Sequence, residues 1–436
     1  MLPQTNKNKA MKNTCSLRLS LILTFFLLTS FSNMTIAHAE EFDCGADSVW
    51  DLQASMCMPL GKIGETTSMA MVHGNLFLVG LSGQSPRMRT ALAAPNMFML
   101  DAGTNFESRH YFNIDLMGTF ENYTFPASGY PELMQVGEHD SLGRPYVDAQ
   151  HPHSTPLMGL TISDTIRISS DSGYDTLKIF VAPRGESTDG PLAFMHRPTG
   201  EVNPDAPLGH HLGQDAGHIT SSVIGFSAKF DWLHLEASTF YGREPEPTRL
   251  EVPVAVPNSY AVRTGFEYFK DHLFLMSIAS LKNPEGDQSD NFTVTRYSAS
   301  VTDHFKLSET WDFSNVLIFG SIYNYDNTTV MSSWAEEFLF KGEAPRIWAR
   351  FEYLQRTPAE LGIPGGIVNY YNDPRWIGLA TLGYTHKVFS ADALDFSVGT
   401  SASANFIPGE FVNTYGSLPL TTRVFLQVGG MGMWDL

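Results

Sequence analysis

Cysteine is nearly absent, at three residues in 436. That scarcity excludes a disulfide-dense scaffold and a zinc framework built on cysteine. Long apolar runs are missing too. After residue 39 nothing reaches the roughly 18 residues that a helical membrane span needs. Basic residues are few: 28 Lys and Arg stand against 46 Asp and Glu, which argues against nucleic acid as a partner. There is no G-x-S-x-G elbow, P-loop or G-x-G-x-x-G, so no catalytic residue is assigned and no enzyme is expected.

The first 39 residues have the layout of a secretory signal. Lys7, Lys9, Lys12 and Arg18 precede a short apolar run at 19–28, and Ala37-His38-Ala39 forms a small-x-small cleavage site. Cys15 has no lipobox around it. The leader holds four basic and no acidic residues, so the mature chain carries 24 basic against 46 acidic residues, a formal charge of −22. A surface this acidic attracts cations; solubility and crosslinking through divalent ions explain it equally well. Residues 40–69 read as a periplasmic N-terminal segment. In an oxidising compartment its Cys44 and Cys57 are expected to form a disulfide, with metal binding as the alternative.

From residue 70 to 436 one pattern repeats: about ten residues with period-two alternation, ended by polar turn residues. Leu394, Phe396, Val398 and Thr400 alternate with Asp395, Ser397, Gly399 and Ser401. Ile347, Ala349, Phe351 and Tyr353 alternate with Arg346, Trp348, Arg350 and Glu352, and Leu233, Leu235 and Ala237 alternate with Trp232, His234 and Glu236. A helix cannot put such sets on opposite faces, because its period is 3.6. Long strands, aromatic residues near strand ends (Phe120, Phe230, Tyr260, Tyr323, Trp376) and a second face of Arg, Glu and small polar residues point to an all-β fold. The expected architecture is a transmembrane antiparallel β-barrel in outer-membrane lipid, hence a Gram-negative outer-membrane protein. The count is about sixteen strands, and fourteen also fits. Long loops, including 121–157 and 184–218, alternate with short turns, which places both termini in the periplasm. The stretch 423–434 has the character of a C-terminal assembly strand, although the chain ends at Leu436 rather than at an aromatic residue.

Chemistry concentrates in the two longest loops, which could fold over or into the lumen. Six histidines, His151, His153, His196, His210, His211 and His218, lie there with Asp148 and Asp215, amid dense Pro and Gly. Imidazole suits copper, zinc and nickel, and the thioethers of Met158 and Met195 would favour Cu(I). These six histidines and Asp215 form a candidate metal site. The spacing matches no regular zinc motif, and histidines that merely pack a plug are the competing reading. Met56, Met58, Met69, Met71 and His73 form a second cluster, open to a Cu(I) role or to plain apolar packing. Arg263, Glu267, Arg346, Arg350, Glu352 and Arg356 fall on the lumen side of their strands and are candidate pore-lining residues that set selectivity or form ion-pair networks. His234 and Ser238 share a strand face two inward positions apart, the sole hint of a hydrolase pair.

At five points the sequence resembles a widespread family of proteobacterial outer-membrane β-barrel proteins. These are Asp148-Ala-Gln-His-Pro-His153, Gly190-Pro-Leu-Ala-Phe-Met-His-Arg197, Ala206-Pro-Leu-Gly-His-His211, His218-Ile-Thr220 and Phe240-Tyr-Gly-Arg-Glu-Pro245. The resemblance runs from about residue 70 to the end. Members often lie near copper-handling genes and often carry Met- and His-rich N-terminal segments, which implies a part in copper homeostasis. This chain lacks a long Met/His tract. The motif positions carried over are His151, His153, His196, Arg197, His210, His211, His218, Arg243 and Glu244.

The leading expectation is thus an outer-membrane channel or transport protein that holds a transition metal, copper first, on its loop histidines. The alternatives are a structural surface protein whose loops only plug the barrel, and a barrel-embedded hydrolase.

Overall fold

The computed structural model describes residues 48–52, 56–59, 66–106, 109–140, 142–153, 156–168, 175–215, 217–247, 252, 254–268, 271–284, 292–323, 330–363 and 373–435. The signal sequence and Cys44 lie outside the described residues. Cys57 is disulfide-bonded.

The alternating stretches form one closed antiparallel sheet. In chain order, β1 (Ser48–Asp51) and β2 (Met56–Pro59) make a small hairpin. The wall begins with β3 (Ser68–Gln84), β4 (Ala91–Ala93), β5 (Asn96–Phe106) and β6 (His110–Gly118). A second hairpin, β7 (Tyr130–His139) and β8 (Pro145–Gln150), stands apart from the wall. The wall resumes with β9 (Leu157–Arg167), β10 (Thr176–Gly185), β11 (Thr220–Phe230), β12 (Leu233–Tyr241), β13 (Ser259–Tyr268) and β14 (His272–Lys282). It continues through β15 (Thr293–Lys306), β16 (Trp311–Tyr323), β17 (Val330–Gly342), β18 (Pro345–Arg356), β19 (Arg375–Ala391), β20 (Leu394–Phe406) and β21 (Leu420–Asp435). The three-residue β4 extends the line of β5 along β3, so the wall has sixteen strands, not fourteen. β21 closes the barrel on β3, from Leu420 opposite Gln84 to Asp435 opposite Met69.

The faces follow from the pleat. Leu394, Val398, Ile347, Phe351 and Val262 are exposed on the outer surface, while Ser397, Ser401, Trp348, Arg350 and Arg263 are buried inside. Aromatic pairs such as Tyr353 and Trp376, stacked at 4.4 Å, mark the outer rim. An apolar belt closed on itself leaves no unpaired strand edge in lipid, and this is the outer-membrane type of transmembrane barrel. Trp232 departs from the face expected for it. It sits in the turn before β12, 52% exposed, and stacks on the outward Phe266, because the turn breaks the alternation one residue early.

The interior is filled. The segments 186–215 and 217–219 enter the lumen, with three short 3-10 turns, Phe194–His196, Pro198–Glu201 and His210–Leu212. The β7–β8 hairpin lies beside them. Leu133, Met134, Leu208 and Leu212 pack against the wall residues Val294, Ile322, Met331 and Leu354. The N-terminal hairpin packs inward too, with Trp50 and Leu52 against Leu192, Leu273 and Leu275, and with Lys178 bonded to Asp51 at 2.6 Å. The described part of the N-terminal segment is therefore a lumen element, because Val49, Trp50 and Met58 are too apolar to stand in water.

Plug and wall meet at glycine. A Cβ on Gly320 would lie 2.1 Å from the Leu212 carbonyl oxygen, and Gly213, at φ +85°, sits against the same strand. Gly320→Ala is expected to push Leu212 off the wall at a cost of about 1–3 kcal/mol, the range for overpacking. Faster proteolysis of 186–219, with the barrel intact, is the result to look for; an unchanged cleavage rate would refute the close fit.

Candidate metal centre and plug

The loops bring five of the six predicted histidines to one place. One ligand atom each of His151, His210 and His211 lie within 4.8 Å of one another, and Glu138, His211 and Glu244 form a second such set. The His210 and His211 rings are 3.8 Å apart, and His151 is 5.8 and 5.6 Å from them. A metal bonded to imidazole at about 2.0–2.1 Å needs its nitrogens no more than about 4.2 Å apart. The histidines and both glutamates line a cavity of about 30 Å³, the size of one ion or one water.

His153 and His218 sit beside this trio with a different geometry. The Nδ1–H of His153 donates to Glu121 Oε2 at 2.5 Å, and that of His218 donates to the Asp215 backbone oxygen at 2.5 Å. The two Nε2 atoms then face each other at 3.1 Å. At that distance one Nε2–H donates to the other Nε2, and the protonated His218 is the donor. In metal proteins the ligating imidazole is fixed in this way, its other nitrogen tied to a carboxylate or a carbonyl. Glu121 and Asp215 thus occupy the positions from which a ligand histidine is oriented.

Burial shapes the charges. Desolvation pushes His151 down to about 3, helped by the neighbouring His211 and His153. It pushes His210 well below its ordinary value, again with His211 and His151. These imidazoles are neutral and offer lone pairs at any ordinary pH. The Nε2 of His151 and Nδ1 of His210 are buried and make no hydrogen bond to the protein. For His218 burial also opposes charge, but the Asp215 charge and hydrogen bonds prevail and lift it to about 9. Glu244 is held low despite burial by His211 and then Arg296.

His196 does not join the five. It lies in a separate cavity of about 420 Å³ with His73, Met97, Met158 and Met195. Burial, then His73, pushes it down to about 4. Asp215 serves the site through His218 and through the Phe194 N–H, which donates to its Oδ2 at 3.0 Å. Glu121, Glu138 and Glu244 complete the centre. Glu121 and Glu138 carry no local signal in the sequence, since they reach the histidines only through the folding of loops far apart in the chain.

The six charged wall residues all face inward, yet four of them hold the plug. Arg350 shares Glu337 with Arg197 at 3.2 and 3.0 Å. Arg263 bonds Glu236 at 2.5 Å and approaches Glu186 at 3.6 Å. Arg356 donates to the carbonyls of Met134 and Leu208, and Glu352 accepts from the Gly209 N–H at 3.4 Å. Arg296–Asp189 at 2.6 Å and Arg423–Asp205 at 2.8 Å extend the same lattice. Glu267 pairs with Lys229 and His234 on the wall, and Arg346 lines the larger cavity. Reading these residues as the lining of an open pore gives way to reading most of them as clamps. Of the motif positions, Arg197 is such a clamp, and Arg243 pairs with Glu246 at 3.0 Å. His234 and Ser238 are engaged separately, His234 with Glu267 at 2.6 Å and Ser238 with Thr188 at 2.9 Å, so they do not form a hydrolase pair.

No protein-family model matches this chain, and no curated protein matches it significantly. Solved structures do share its architecture. The outer-membrane protein OmpF of Salmonella typhi, in complex with daunomycin, is 8% identical over 83% of this chain and 97% of its own, with a TM-score of 0.48. An anion-selective porin from Comamonas acidovorans is 10% identical over 85% and 99%, with a TM-score of 0.46. The outer-membrane channel DcaP of Acinetobacter baumannii is 9% identical over 84% and 97%, with a TM-score of 0.46. At such identities the likeness is one of fold alone.

Proposed function

We propose that this barrel is an outer-membrane channel-type transport protein, closed by its own loops around a transition-metal centre, and that its metal is copper. One observation carries the reading: one ligand atom each of the buried His151, His210 and His211 lie within 4.8 Å of one another, and the Nε2 of His151 and the Nδ1 of His210 make no hydrogen bond to the protein. His153 and His218 line the same cavity. An all-imidazole set with flanking carboxylates suits copper, zinc or nickel, and the methionines of the adjoining cavity tip the choice to copper. The resemblance to a family found near copper-handling genes points the same way.

A structural role is the second reading, supported by the buried Arg–Glu lattice that fixes the plug. Metal analysis separates the two. The refolded barrel, offered Cu, Zn and Ni in turn, is expected to bind copper stoichiometrically. The variant H151A/H153A/H210A/H211A is expected to bind none, a loss of more than a hundredfold in affinity. If neither protein binds metal and the variant melts earlier, the histidines are packing groups and the copper reading fails.

A further inference from the structure

The inner face of an outer-membrane barrel is normally polar, but one sector of this wall is lined by thioethers. The register sets Met431 on β21 opposite His73 on β3, His73 opposite Met99 on β5, and Met99 opposite Met117 on β6. Next to this row, Met433 faces Met71 and Met97 faces Asn75 across the same strand pairs. Met71, Met99, Met117 and Met158 are all buried within the lumen. The plug sets Met195 onto the group and His196 into the same cavity. That cavity extends from Met431, which is 52% exposed near the chain terminus, to His153 and Glu121.

Packing alone does not account for this sector. Leu or Ile would fill the same space with better-defined rotamers. Nor does packing explain why the Nδ1 of His73 and the Nε2 of His196 are buried without any hydrogen bond to the protein. Neutral thioether and imidazole donors are the ligands that soft monovalent ions select, and they leave calcium and magnesium unbound. Several weak sites in series let an ion enter and still leave.

We infer that this sector is a thioether–imidazole track for a soft monovalent cation, Cu(I) or Ag(I), running from the barrel end that carries the chain termini to the His153–His218 pair. The inference deepens the copper reading by naming the oxidation state and the path. The ion keeps its charge throughout, so no electron donor is required.

Silver(I), a redox-inert probe, tests it in chloride-free buffer on the refolded mature barrel. Wild type is expected to hold more than one silver ion, with sulfur in the first shell by X-ray absorption at the silver edge. The variant M97L/M99L/M117L/M158L keeps apolar volume, a swap that cores tolerate, and is expected to lose most of the silver while binding Cu(II) at the histidine trio as wild type does. Silver binding equal to wild type in that variant overturns the track. So does wild type that takes up no silver, or a first shell of nitrogen and oxygen alone. The absorption measurement uses the unaltered protein, so it tests the track even if the variant misfolds. Failure of the histidine centre shows separately, as wild type that binds silver through sulfur but no Cu(II).

Discussion

Replacing residues 186–215 by a short Gly-Ser linker is expected to turn a closed barrel into an open, weakly anion-selective pore. A wall of sixteen strands encloses an aqueous channel when nothing fills it, and here the filling is this segment and the β7–β8 hairpin. Excision removes Glu186, Asp189, Arg197 and Asp205 from the lattice, and with Leu208 and Leu212 the packing partners of the hairpin. It leaves Arg263, Arg296, Arg350, Arg356 and Arg423, opposed by Glu236, Glu244, Glu337 and Glu352. The bared ring thus has more positive than negative side chains, and an anion should cross more readily than a cation. Planar-bilayer recording gives the answer. Conductance should rise from baseline to a steady porin-like level, with a reversal potential shifted toward the anion. Unaltered conductance, or cation selectivity, would count against the plug and its clamps. The single change Glu337→Gln leaves Arg197 and Arg350 buried without their shared carboxylate, a loss on the order of 3–5 kcal/mol for a broken buried pair. It should give intermittent openings in place of the steady pore.

The barrel was legible because alternation is a local property. Each stretch such as Leu394–Phe406 declares its two faces by itself, and the alternation of long and short connections sets the strand count. What fills the lumen is not local. Arg197 and Glu337 stand 140 positions apart, and nothing near either residue announces the other. Arg350 and Arg356 therefore read as pore lining, since the pleat tells which face a side chain takes and not what it meets there. One signal was present. Along Trp311–Tyr323 both faces are apolar, Val316, Ile318 and Ile322 inside and Leu317 and Phe319 outside. A strand that is apolar on both sides is covered on both sides, which is the mark of a filled barrel. The histidines were visible as a set, but their division into a trio, a carboxylate-oriented pair and the separate His196 depends on how two loops cross. The lumen methionines were split between strands that meet only when β21 closes on β3, so Met56, Met58, Met69, Met71 and His73 stood out as one group and Met158 and Met195 only as neighbours of the histidines.

Raising the pH of the metal-free protein from 7 to 10 is expected to release the plug, while acidification to pH 5 leaves it in place. Two groups on segment 186–219 set the alkaline limit. Glu186 is pushed up to about 8 by burial, against Arg263 and with Asp215 and Glu236. His218 is lifted to about 9, burial opposing and Asp215 prevailing. A raised group contributes stability that is fully present below its unfolded value, 4.5 for Glu186 and 6.5 for His218. That contribution is lost as pH rises through the folded value. Between pH 7 and 10 the two together cost the docked plug on the order of 4 kcal/mol. Glu132, pushed well above its ordinary value by burial and then by Asp205, carries the same sign. His151, His196 and His210 are neutral across this interval in docked and released states alike, so they do not offset it. On the acid side the signs oppose. Those three imidazoles have lowered values, and their contribution falls away as pH drops below 6.5, by about 2 kcal/mol each at pH 5 for His151 and His196. Glu186 and His218 gain over the same range, because each is protonated in the docked state. The two sets nearly cancel. Hydrogen exchange across residues 186–219 at pH 5, 7 and 10 reads the asymmetry directly: protection should hold at 5 and 7 and collapse at 10, with the strand amides unchanged. Protection lost at pH 5 and kept at pH 10 would mean that the histidines, and not the buried carboxyl groups, govern how the plug is held.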